Sequence, residues 1–245
     1  MVKLIEDITL LDFLPADSYA ARITALAYTY GTEHSFAMFW VQEINGNSVA
    51  AVSRVDGNMT VCSFEDADYE ELSAFINAVG FATLTCDSSV MKNLGFEASK
   101  TSFTVEYKGG AVLGNTPKVR DCDKRKIYDL LCLCGFELGD YGAFLTDVCA
   151  RLNKGTASFS AIMNGCEPGA CAFVLFEGAK SVLLGAVATN PSSRGKGYAS
   201  EIVGALAEEK SNKKVFLFCR EDSLADFYSG IGFEKVGCWA IAENI

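Results

Sequence analysis

Asn190-Pro-Ser-Ser-Arg-Gly-Lys-Gly-Tyr-Ala-Ser200 lies between a strand-like apolar run, Ser181 to Thr189, and a helix-like run, Ser200 to Lys210. A strand, a glycine-rich turn and a helix start form an anion cradle. The first helical N–H groups lack partners inside the helix, and the helix dipole adds partial positive charge there. Gly195 and Gly197 let a ligand come close to the backbone, and Arg194 and Lys196 add two cations. The chemistry is that of a phosphate site. The spacing rules out two common forms. A Walker loop requires Ser or Thr after its Lys, and Lys196 is followed by Gly197. The dinucleotide fingerprint requires Gly three residues after its second Gly, and Ser200 stands there.

What the spacing fits is Arg-x-x-Gly-x-Ala, as Arg194, Gly197 and Ala199, which resembles the acetyl-CoA pyrophosphate motif of the GNAT acyltransferase superfamily. A second stretch strengthens the resemblance. After the strand-like Val215-Phe-Leu-Phe-Cys219 comes Glu221-Asp-Ser-Leu-Ala-Asp-Phe-Tyr-Ser-Gly-Ile-Gly-Phe233, similar to the superfamily's closing helix, Gly-Phe and last strand, with Phe227, Tyr228, Gly232 and Phe233 matching. Two departures stand out: Glu221 where the superfamily usually has Asn, and Leu224 where it usually has Ala.

The resemblance implies an acetyl-CoA-dependent N-acetyltransferase that moves an acetyl group directly to an amine of a small molecule or peptide. Gly195, Lys196, Gly197, Tyr198 and Ala199, with Arg194, would hold the CoA pyrophosphate. The strand Gly185 to Thr189, including Val187 and Ala188, would align the pantetheine arm, with a backbone N–H near Val187 as oxyanion donor. Tyr228 would be the general acid toward the departing thiolate. The residues themselves single out no base. Glu137 and Asp140, in a turn between helices, read first as solvated carboxylates and second as attractors of a cationic amine. The alternative from a different class is a non-catalytic acyl-CoA-binding or scaffold protein. Glu221, Leu224 and the missing base point toward it, and Tyr228 points away. An aminoacyl-transferring relative would need a donor other than CoA, against which the cradle argues.

Composition bounds these readings. The chain has 245 residues, half of them hydrophobic and 21% charged, enough for one or two cores. No apolar run reaches the ~18–20 residues of a membrane span. Met1-Val-Lys-Leu-Ile-Glu-Asp7 has acids where a signal peptide is apolar, so the expectation is a cytoplasmic protein. Ten cysteines without paired Cys-x-x-Cys spacing, and a single histidine, His34, read as reduced core residues and not as a metal site. The net charge of −10 divides as −9 over residues 1–110 and −1 over 111–245, with no basic face for nucleic acid. The acceptor and the oligomeric state are not legible.

Glycines and a proline in Lys108 to Pro117 mark a boundary between 1–110 and 118–245. In the second half, Asp121 to Phe136 and Asp140 to Leu152 read as helices, and Ala157 to Met163 and Ala170 to Phe176 as strands about a Glu167-Pro-Gly169 turn. The first half follows the same plan. Ala16 to Tyr30 reads as a helix, and Ser35 to Gln42 with Ser48 to Val55 as a hairpin. Asn58 to Phe64 reads as a strand, Asp66 to Val79 as a helix, Ala82 to Cys86 as a strand and Ser88 to Leu94 as a helix, with Gly95-Phe-Glu97 opening a last strand. Leu94-Gly-Phe-Glu echoes Ile231-Gly-Phe-Glu. The expected fold class is α/β with a mixed α+β sheet: two tandem GNAT-like acyl-CoA N-acyltransferase folds, the first degenerate. Its helix start, Phe64-Glu-Asp-Ala-Asp-Tyr-Glu-Glu71, has five carboxylates and no glycine and would repel a pyrophosphate. This half is expected to pack beside the other and shape the acceptor groove, its acids favouring a positively charged amine.

Overall fold

The computed structural model describes residues 1–110 and 114–244, so residues 111–113 of the boundary segment lie outside the described residues. The first half runs β1 (Val2–Leu4), α1 (Ser18–Tyr30), β2 (Ala37–Ile44), β3 (Asn47–Val55), β4 (Asn58–Ser63), α2 (Tyr69–Val79), β5 (Thr83–Asp87), α3 (Ser88–Asn93) and β6 (Lys100–Tyr107). The second runs β7 (Lys118–Val119), α4 (Lys124–Leu133), α5 (Tyr141–Lys154), β8 (Ser158–Asn164), β9 (Glu167–Glu177), β10 (Ser181–Thr189), α6 (Tyr198–Glu209), β11 (Lys214–Phe218), α7 (Leu224–Ser229) and β12 (Phe233–Glu243).

Local chemistry explains most boundaries. Asn45-Gly46 and Asp56-Gly57 have positive φ at both residues (52° and 82°, 47° and 80°), the type I′ geometry that closes the β2–β3 and β3–β4 hairpins with the right twist. Helices α1 to α5 each begin behind an aspartate, Asp17, Asp68, Asp87, Asp123 and Asp140, whose carboxylate accepts from a first-turn N–H.

All strands join one sheet in the order β1-β2-β3-β4-β5-β12-β6-β11-β10-β9-β8-β7. Only β4/β5 and β10/β11 pair in parallel. The order reads the same from both ends once the halves are matched, with one twist at the centre. β6, which ends the first half, lies between β12 and β11, and β12, which ends the second, lies between β5 and β6. Each half supplies the strand beside the other's parallel pair. The cores are mixed in the same way. Val105 and Tyr107 of β6 are buried with β10, β11 and α6, and Trp239, Ala240 and Ala242 of β12 are buried in the two cores of the first half.

Two local readings are corrected. Glu167 to Gly169 is not the turn. Glu167 and Pro168 already pair with Asn164 and Met163, and the reversal lies at Gly165, whose φ of 64° a glycine adopts without strain. Pro168 is tolerated because it stands at the strand's start, beside a register shift. Gly95-Phe-Glu97 does not open the last strand, which starts at Lys100. Gly95 closes α3 at a φ of 75°, and Phe96 turns back edge-on to Phe81, 5.4 Å between ring centres. The short edge strands β1 and β7 carry too few residues to show a period, and the sequence reading passes over them.

Candidate functional site

The site is built where β10 and β11 part. They pair in parallel from Ser181/Lys214 to Leu184/Leu217, and then β10 runs on alone to Thr189. On its other side β10 bulges against β9. Gly185 faces Phe173 and Ala188 faces Cys171, so three steps on β10 match two on β9. Ala186 sits in the bulge at a φ of 47°, a conformation that strains a residue with a Cβ by ~1–2 kcal/mol. A Cβ at Gly185 would come within 2.4 Å of the Leu175 side-chain tip, so a larger residue there would require Leu175 to move aside.

Beyond β10 the chain turns through a 3₁₀ turn, Pro191–Ser193, held by the Asn190 side chain, which accepts from the Ser192 N–H (3.1 Å) and hydroxyl (2.8 Å). Gly195 and Gly197 have φ of 77° and 78°, and a Cβ on either would meet nothing within 4 Å. Glycine is required here by the backbone and not by packing. α6 then starts at Gly197 with no side-chain cap, unlike α1 to α5. Its first N–H groups are left for water or a ligand, with the dipole's positive end facing outward.

Two cavities meet at this point. One, of about 420 Å³, is lined by Thr189, Ser193, Arg194, Gly195, Gly197, Tyr198, Ala199, Ser200 and Phe227. The other, of about 590 Å³, is lined by Gly185, Ala186, Phe136, Glu137, Leu217, Phe218, Arg220 and, from the first half, Lys100. Val187, Leu224 and Tyr228 line both. The bulged strand and the tyrosine therefore stand at the junction of a cradle and a wider groove. Tyr228 is 5% exposed, its ring between Phe227 and Phe233, and its hydroxyl makes no hydrogen bond among the described residues. Burial pushes its pKa well above the usual tyrosine value, which keeps the hydroxyl neutral and able to donate.

Of the residues singled out in the sequence, the structure brings together Val187, Arg194, Gly195, Gly197, Tyr198, Ala199 and Tyr228. Ala188 is buried with Phe173 on the opposite side of the strand, among the residues packed by α4. Lys196 does not line the cavities, and its ammonium sits 5.9 Å from the Tyr198 ring centre. Glu221 is exposed and outside both cavities, whereas Leu224 is in both. Asp140 is engaged as the α5 cap, leaving Glu137 as the carboxylate that lines the groove. Lys100, Phe136 and Arg220 were not legible as site residues. Lys100 reaches the groove only because β6 crosses into the other half's sheet.

The first half's corresponding helix start is closed from within. Asp68 accepts from the Glu71 N–H (3.0 Å), and Gln42 spans Glu71 and the Asp68 backbone. The acids that the sequence reading took to repel a pyrophosphate there also serve as internal acceptors. All ten cysteines are free, and no helix among the described residues is long and apolar enough to cross a membrane.

No protein-family model and no curated protein matches the sequence. Solved structures do match over nearly the whole chain. A tandem GNAT protein from the clavulanic acid biosynthesis pathway aligns with a TM-score of 0.58 at 11% identity, covering 99% of this chain and 98% of that one. A GNAT-family acetyltransferase from Colwellia psychrerythraea gives 0.57 at 12%, covering all of both chains. A GCN5-related N-acetyltransferase from Kribbella flavida gives 0.60 at 12%, covering 92% and 93%. Identities this low establish likeness of fold alone, and over nearly the whole chain that fold is the tandem GNAT fold.

Proposed function

We propose that the chain is an acyl-CoA-dependent N-acyltransferase, using acetyl-CoA and moving the acetyl group directly to an amine. The carrying observation is the convergence of an uncapped helix start, a bulged strand and a buried neutral tyrosine at one junction between two cavities. The residues fit the cofactor. The open N–H groups of α6, Gly195, Gly197 and Arg194 suit a pyrophosphate, and the parting of β10 from β11 leaves strand backbone for an extended amide-bearing arm. The bound thioester supplies an already activated acyl group.

The chain's own residues then orient and move protons. The N–H groups at the Ala186–Val187 bulge are the proposed donors to the oxygen on which charge develops. The amine enters through the wider groove, where Glu137, directly or through water, takes its proton. Tyr228 would give its hydroxyl proton to the thiolate that the C–S bond releases as the C–N bond replaces it, and solvent would return a proton to the tyrosine.

Calorimetry with acetyl-CoA, joined to a free-thiol release assay over an amine panel, tests this reading. One site per chain and acceptor-dependent thiol release are expected. Binding without release for any amine would favour the non-catalytic acyl-CoA-binding alternative. That alternative draws on Glu221 standing outside the groove.

A further inference from the structure

The sequence's charge division, with its strongly acidic first half, points to a cationic acceptor. The groove itself is lined otherwise. Its charged side chains are Lys100, Arg220 and Glu137. The first half contributes one of its few cations to the groove. Its carboxylates Asp17, Asp87 and Glu106 line a separate cavity of about 360 Å³ toward the other end of β6. Neither Lys100 nor Arg220 has an ion-pair partner among the described residues.

Arg220 is also held in place. Its guanidinium packs 5.4 Å from the Phe136 ring centre and donates to the carbonyls of Gly135 (2.9 Å) and Cys134 (3.4 Å). A guanidinium has five N–H donors in a fixed fork, so two carbonyls leave donors over, and the charge is unneutralised. Lys100 lies on the edge of the same groove, its ammonium 5.9 Å from the Trp239 ring centre. An ammonium acceptor with a second positive charge would be repelled by this pair. A carboxylate would find two cations, one of them held in place with N–H donors left over. Glu137 supplies the opposite charge needed beside the amine itself.

Building on the proposed transferase reading, we infer that the acceptor is an amine that also carries a carboxylate, bound by Arg220 and Lys100 with its amine turned toward Glu137 and the Tyr228 junction.

Three amines of one chain length test this: 4-aminobutanoate, 4-aminobutanamide and 1,4-diaminobutane, with far ends negative, neutral and positive. Each is titrated calorimetrically into the full chain saturated with CoA, and each is assayed for acetyl transfer. The carboxylate is expected to bind at least about tenfold more tightly than the amide, the size of a charge-assisted hydrogen bond. Lys100→Glu should shift the preference toward the diamine and Arg220→Gln should abolish it, CoA affinity staying within about twofold in both because neither residue lines the cradle. Equal or better binding of the amide or diamine, or no binding of any of the three, overturns the inference. A carboxylate amine that binds with this preference and is never acetylated sustains the groove's assignment to such a ligand and sinks the transferase reading. Transfer without charge preference does the reverse.

Discussion

Trp239, on the last strand of the second half, donates its indole N–H to the carbonyl of Cys219 at 2.9 Å while its ring is buried in the core that α1 and β2 build in the first half. One side chain thus closes the end of β11 and fills a core formed some two hundred residues earlier in the chain. The two sequence halves are therefore expected to fold as one unit.

Unfolding should therefore show a single transition. Trp239→Ala is expected to cost about 3–5 kcal/mol from the lost core volume. Denaturation followed by far-ultraviolet circular dichroism and by tryptophan fluorescence should lose both signals together, in the wild type and in an Ile76→Ala variant on α2 of the first half, whose core β12 completes with Ala240 and Ala242. Residues 118–245 alone, which leave β11 without its β6 neighbour, are expected to stay unfolded until residues 1–110 are added. Two well-separated transitions, or a folded isolated second half, would contradict the interleaved sheet.

Gly197→Val should weaken CoA binding without a packing defect. Nothing lies within 4 Å of a Cβ at that position, so the penalty is the φ of 78°, about 1–2 kcal/mol for a residue with a Cβ. The turn would relax away from that conformation and misalign the first N–H groups of α6. Calorimetry should read a lower affinity with at most one site per chain, against a modest change in melting temperature.

Tyr228→Phe should lower kcat by roughly 10²–10⁴-fold, the usual range for a general acid, with CoA affinity nearly unchanged. The hydroxyl has no hydrogen-bond partner among the described residues whose loss would disturb the fold, and the ring contacts with Phe227 and Phe233 survive the change. An unaltered kcat on a true acceptor would remove the tyrosine from the mechanism.

Asp17 gives a pH prediction. Burial raises its pKa above the usual carboxylate value, although the Ala20 N–H and the Cys62 thiol hydrogen-bond to it. A carboxyl raised on folding binds its proton more tightly in the native state than in the unfolded one. Its charged form therefore weakens the fold above the native pKa, and that loss is recovered as pH falls through it. Asp17→Asn keeps an oxygen to cap α1 and removes the charge, so it should be more stable than wild type at pH 7, the difference shrinking toward pH 4. A stability gap that widens on acidification would show the carboxylate to be favourable where it stands.

The sequence by itself determined the elements and the cradle. Type I′ glycines, aspartate caps and period-two apolar runs act over a few residues, and so do Arg194, Gly195 and Gly197 at the mouth of α6. Tyr228 was legible for a related reason, since its spacing to Gly232 and Phe233 is set within one short helix and turn. Tertiary structure decided what lies far apart along the chain. The exchange of β6 and β12 joins residues more than 130 positions apart, such as Lys100 opposite Ile241, and no local pattern encodes which half a final strand will enter. Its choice falls to long-range pairing, because each parallel pair needs a strand on its open side. That exchange carries Lys100 into the groove and leaves the first half's carboxylates toward the other end of β6. Charge counted along the chain predicts a groove rich in carboxylates, whereas the folded sheet lines it with Lys100, Arg220 and a single carboxylate, Glu137.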